Sequence, residues 1–157
     1  MAVRPTIYVP EPVLRAKAKG TKMLRTLKSR VTTLTGRLAL RTPSVLIVLS
    51  HAPFDGDTTW NALRLAGTLV ERRVRVRIFV MNDATDLVRS GGKPEEAEFD
   101  LQGMLCDLVA KGVSVRVCTT CVNRCGIGRG EVIQEASMAT MSDLAAWVVE
   151  SDRVVVF

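Results

Sequence analysis

The residues able to do chemistry in this chain are crowded into one stretch, "VRVCTTCVNRCGIGRG", Val115 to Gly130. It holds three of the four cysteines, Cys118, Cys121 and Cys125, in the spacing C-x2-C-x3-C. Sulfur at that density binds a metal, cycles as a dithiol, or carries a transferable group as a thiolate. A structural zinc needs four ligands and the motif offers three; no second CxxC follows, the sole histidine is His51, and Cys106 lies on the preceding element. An iron–sulfur cluster wants four cysteines at a different spacing. A thioredoxin-type dithiol fits Cys118 and Cys121 by spacing, but that fold places the pair after an early strand and needs a cis-proline loop that nothing here supplies. A plain core role suits Cys106 and Cys125 better than it suits Cys118 and Cys121 together. Thiolate chemistry therefore leads, and the alternative is a non-catalytic oligomeric module holding a metal or small ligand through Cys118, Cys121 and Cys125.

Thiolate chemistry requires a position that favours the anion. Cys118 ends an alternating apolar run, and "TTCVNRCG" reads as the start of a short helix stopped by Gly126. Unpaired backbone N–H groups at that helix start favour thiolate, and Arg116, Arg124 and Arg129 add positive charge if they point inward. If "CVNRC" is helical, Cys121 and Cys125 are i, i+4 neighbours, which makes Cys125 a more credible disulfide partner for Cys121 than Cys118 is. His51, the chain's one histidine, follows the first strand, which makes it a supporting base; Asp55 and Asp57 read as turn and cap groups. "GIGRG" lacks the spacing of a dinucleotide loop.

The elements that must position these residues begin after Pro43. "SVLIVLS" (Ser44 to Ser50) is an apolar run of strand length, of the kind buried on both faces of a parallel sheet. Thr58 or Thr59 is expected to cap a helix through Glu71, with Leu63, Leu65, Ala66, Leu69 and Val70 on its buried side. "VRVRIFV" (Val74 to Val80) gives a second strand, followed by a loop from Met81 to Lys93 with one helical turn. A helix from Glu96 to Lys111 ends at Gly112, "VSVRVC" is the third strand, Ser142 is expected to cap a helix over "DLAAWVVE", and "RVVVF" is an edge or final strand. Strand and helix alternating through short connections imply right-handed crossovers and a mainly parallel sheet, an α/β sandwich with its functional groups at the carboxyl ends of the strands.

Composition narrows the function. The 157 residues suit one domain, and 47% hydrophobic content is that of an ordered chain. The net charge of +6 sits at one end: residues 1–41 carry ten Lys or Arg against Glu11 alone, leaving 12 basic and 15 acidic residues in the body. Residues 42–157, the α/β domain, thus carry no basic footprint for nucleic acid. The extension, 1–41, is expected to be partly disordered or a basic amphipathic helix built on Leu24, Leu27, Val31, Leu34 and Leu38, with at most weak contact to polyanions or a membrane surface; Met23 is an alternative start. Crowded rather than spaced cysteines fit a reducing compartment, the cytoplasm. "VLIVL" before "SHA" imitates a signal peptide, but its apolar run is too short and follows too long a charged lead.

Three blocks in order, "NALRLAGTL", "VRVCTTCVNRCGI" and "ASMATMSDLAAWVVESDRVVVF", make residues 44–157 resemble the DsrE/DsrF-like family, which includes TusD-type sulfur carriers and YchN-like proteins. The resemblance implies a three-layer α/β/α fold with a parallel five-stranded sheet, assembly into trimers or hexamers, no cofactor, and relay of sulfane sulfur between donor and acceptor proteins as a cysteine persulfide. It puts the carrier thiol at Cys118 and a second thiol at Cys121; Cys125 departs from the family pattern, and the basic extension lies outside it.

Overall fold

The computed structural model describes residues 41–92 and 97–157. The expectations for the basic extension concern residues 1–40 and lie outside them. Arg41 itself forms an ion pair with Asp152, whose carboxylate also accepts hydrogen bonds from the backbone N–H of Ser44 (2.8 Å) and its hydroxyl (2.9 Å).

Five strands, β1 (Ser44–Leu49), β2 (Arg75–Val80), β3 (Ser114–Cys118), β4 (Ala136–Ala139) and β5 (Arg153–Val156), form one sheet in the order β4-β3-β2-β1-β5. Every neighbouring pair is parallel. All six residues of β1 are buried, as its uninterrupted apolar run requires. Side chains alternate across the sheet. Ile47, Ile78, Val80, Val115 and Val117 face the larger core, together with Leu63 and Ala66 of α1 (Thr58–Glu71) and Leu105 and Leu108 of α2 (Leu101–Ala110). Leu46, Val48, Phe79 and Cys118 face the other way and pack with Cys121, Ala139 and Trp147, the last from α4 (Met141–Glu150). The short helix α3 (Thr119–Arg124) leads off the end of β3.

Several boundaries differ from expectation for local reasons. Asp57, not Thr58 or Thr59, stands at the N-cap of α1; Thr59 is buried, whereas Leu65, Leu69 and Val70 are only half-buried. Helix α2 starts at Leu101 rather than Glu96, because the Asp100 carboxylate accepts the Gly103 N–H at 3.0 Å. Thr140, not Ser142, caps α4: its hydroxyl accepts the Asp143 N–H while Asp143 accepts the Thr140 N–H at 2.8 Å, a reciprocal capping box. Hydrogen bonds from Thr140, reinforced by Arg116, hold the Asp143 carboxyl below the usual range, so this cap weakens only in acid. Asn82–Val88 forms a two-turn 3-10 helix where one turn was expected.

Candidate functional site

Cys118 is both the last residue of β3 and the N-cap of α3, so its position is set by the sheet rather than by a loop. The Thr119 hydroxyl donates to the Ala139 carbonyl at 3.0 Å and ties the start of α3 to the end of β4. One turn on, Cys121 lies on the inner face of α3. Cys125 occupies the C-cap, its N–H donating to the Cys121 carbonyl at 2.9 Å, and Gly126 ends the helix at φ 68°. Exposure rises along the series: Cys118 is 3% exposed, Cys121 9%, and Cys125 is at the surface. The accessible Cys118 expected from its place after the strand is therefore corrected. Its side chain points from the pleat into the apolar cluster with Phe79, Trp147 and Cys121. All four cysteines are free.

Cys121 and Cys125 face a cleft of about 630 Å³ with Arg124 on the same helix. Its other walls come from the carboxyl ends of β1 and β2, through Ser50, His51, Asn82 and Asp83. Of the residues singled out in the sequence, His51, Arg124, Cys121 and Cys125 line this cleft and Cys118 does not. The Ser50 hydroxyl donates to the Phe157 carbonyl at 2.9 Å and lies 3.4 Å from His51 Nδ1. Asn82 takes a left-handed backbone, φ 50°, which asparagine tolerates better than most residues; its side-chain oxygen lies 3.9 Å from Cys121 Sγ. Arg116 does not point to the thiols: it stacks on Trp147 at 4.4 Å and reaches Asp143 at 3.4 Å. Arg129 is exposed.

Burial pushes the Cys121 thiol up, with the neighbouring Cys118 thiol adding to it through a hydrogen bond and the Asn82 backbone amide opposing part of the rise. At Cys121 the activating end of a six-residue helix is thus outweighed by desolvation. Since the thiolate is the reacting species, alkylation of Cys121 by iodoacetamide is expected to keep accelerating by about tenfold per pH unit through pH 7 to 9, without a plateau near neutrality. Mass-mapped alkylation rates check this, and a plateau below pH 8 would contradict it.

Sequence reasoning missed four groups here. Asn82 and Asp83 follow β2, and the rule that sites gather at strand ends, applied to β1 and β3, applies to β2 as well. Thr85, wholly buried, places its hydroxyl 3.4 Å from Cys125 Sγ, and Arg89 donates to the Cys125 carbonyl at 3.2 Å. Those two contacts span 40 and 36 residues and left no local signal. Among the described residues, no three His, Cys, Asp or Glu side chains converge as metal ligands would, the triad Cys118, Cys121 and Cys125 included.

A parallel α/β/α sandwich whose strand ends gather thiols, a histidine and an arginine around one cleft defines a cysteine-site protein of the doubly covered sheet class. The chain belongs to the DsrE/DsrF-like family, whose sequence pattern matches residues 44–157. It is 35% identical to protein YchN of Escherichia coli over 115 residues, 72% of this chain and 97% of that one. An uncharacterised protein of Methanopyrus kandleri is 33% identical over 113 residues, 72% of this chain and 93% of the relative. The crystal structure of E. coli YchN superposes with a TM-score of 0.69 at 34% identity, covering 74% of this chain and all of the other. A Methanobacterium thermoautotrophicum protein of unknown function shares the fold at 12% identity, TM-score 0.53, over 74% of this chain and 99% of its own. Among the described residues no helix is long and apolar enough to cross a membrane.

Proposed function

We propose that the protein is a sulfur-relay subunit that carries sulfane sulfur as a cysteine persulfide on the Cys118–Cys121 pair. One observation carries this reading: two thiols share one apolar cluster, Cys121 in the wall of an open cleft and Cys118 buried at 3% exposure. The Cys121 thiolate attacks the outer sulfur of a donor persulfide, forming Cys121–S–SH and releasing the donor thiolate. Cys118 then attacks that outer sulfur, giving Cys118–S–SH and returning Cys121 as thiolate. Both steps are thiol exchanges at sulfur, neutral in redox, with the proton passing between the two thiols. At 3% exposure, Cys118 keeps the sulfane sulfur away from competing reductants; the reverse steps deliver it to an acceptor.

Burial raises the Cys121 thiol, so a group that takes its proton is needed, and His51 on the same cleft fills that role, while Arg124 supplies positive charge for an anionic donor. Free thiols suit the cytoplasm, and the donor and acceptor are proteins with their own reactive cysteines. The test is transfer: protein treated with inorganic polysulfide and desalted should pass cyanide-labile sulfur to a fresh low-molecular-weight thiol. Failure of wild-type protein to retain or pass any such sulfur would end the proposal.

The α4 and β5 surface supports assembly with further copies of the chain. Val149 is 86% exposed, Val156 64% and Met141 57%, beside an edge strand with unpaired backbone groups. Wild type is expected to elute as a trimer or hexamer, and Val149→Asp with Val156→Asp to elute as monomer, by light scattering. A monomeric wild type would contradict this.

A further inference from the structure

We infer that Cys125, the cysteine that departs from the family pattern, is the outermost thiol of the relay, the group through which protein-bound persulfides exchange sulfur with Cys121. The inference rests on the persulfide reading above and adds the class of donor the cleft accepts. Cys121 is 9% exposed in a cleft wall, so a persulfide on another protein's surface must insert deeply to reach it, whereas a small polysulfide ion enters freely. Cys125 lies on the same cleft, at the surface, one helical turn beyond Cys121 and backbone-bonded to it at 2.9 Å. Residues so spaced on a helix carry their Cβ atoms about 5–6 Å apart, within reach of a persulfide arm.

The surroundings of Cys125 are built to serve both protonation states. The Thr85 hydroxyl lies 2.9 Å from the Asn82 carbonyl and 3.4 Å from Cys125 Sγ, and it has one proton. With Cys125 as thiol, that proton goes to the carbonyl and the oxygen accepts from S–H. With Cys125 as thiolate, the hydroxyl turns and donates to sulfur. Thr85 is fully buried, so the donor is fixed in place, and Arg89 holds the Cys125 carbonyl at 3.2 Å. The step itself is balanced: Cys125 thiolate attacks the outer sulfur of donor R–S–SH, giving Cys125–S–SH and R–S⁻. Cys121 thiolate then attacks the outer sulfur of Cys125–S–SH, giving Cys121–S–SH and Cys125 thiolate, with no oxidant or reductant required.

The test compares two donors, serum albumin persulfide and inorganic polysulfide, by the initial rate at which each adds sulfur to wild type and Cys125→Ser, followed by intact mass. The ratio of the albumin rate to the polysulfide rate is expected to fall about tenfold or more in Cys125→Ser, and part of the way in Thr85→Val, which keeps the side-chain shape and removes the donor. An unchanged ratio in Cys125→Ser, with sulfur still loaded by both donors, overturns the role of Cys125 and leaves the Cys118–Cys121 carrier standing. No loading of wild type by either donor takes down both.

Discussion

Cys121→Ser is expected to reduce the initial rate at which sulfane sulfur from inorganic polysulfide reaches Cys118, mapped by differential alkylation, by about a hundredfold or more, since serine at neutral pH supplies no thiolate to pass it on. Cys118→Ser acts at a different step. It leaves the cleft thiol in place and removes the sheltered position behind it, so sulfur still loads on Cys121 but is lost to added dithiothreitol about tenfold faster than from wild type. The contrast follows from burial: Cys118 is 3% exposed and does not line the cleft, whereas Cys121 does. In the proposed relay, sulfur reaches Cys118 only through Cys121. Equal rates in Cys121→Ser and wild type would remove Cys121 from the path.

The largest effect on stability is expected at Trp147. Its ring is 7% exposed, meets Phe79 edge-on at a centroid distance of 6.3 Å, and is flanked by Arg116 at 4.4 Å and Arg77 at 5.2 Å. Trp147→Ala should cost about 3–5 kcal/mol through lost burial and an unfilled cavity, a large share of the roughly 5–15 kcal/mol that holds a domain folded. Arg77 makes the loss worse. Its guanidinium is 6% exposed and held by Glu150 at 2.7 Å and Ser151 at 3.1 Å on the helix end that Trp147 anchors, so loosening α4 leaves a buried cation with fewer partners. Urea unfolding measures the cost, and a loss under about 1 kcal/mol would show that α4 covers the sheet without the ring. Cys118 and Cys121 share this cluster with Trp147, so alkylation of Cys118 should accelerate in the variant along with the fall in stability.

What could be read from the residues depended on how local the cause was. β1 was legible because a parallel strand buried on both faces has no alternation to hide, and all six of its residues are buried. The stop of α3 was legible because Gly126 takes φ 68°, which most residues resist. β4 escaped the residue-by-residue reading, since Ala136–Ala139 is four residues long with one exposed and one half-buried; the sheet's fifth strand came from the family resemblance. At α4 the pattern Thr140-x-x-Asp143 was the better cap signal than Ser142, because it satisfies two backbone N–H groups rather than one. The site divides the same way. His51 and the cysteines announce themselves by type and by the strands they follow. Thr85 and Arg89 act on Cys125 across a loop and a strand, and only tertiary packing brings them there.

The most direct test of persulfide carriage is the intact mass of reduced, desalted protein, native and denatured, before and after exposure to polysulfide. The account predicts additions of whole sulfur atoms that survive denaturation, disappear with dithiothreitol, and map by differential alkylation to Cys118 and Cys121. A mass excess seen only in the native spectrum and removed by chelator, with no covalent sulfur on either residue, would contradict it and assign the cluster to metal binding.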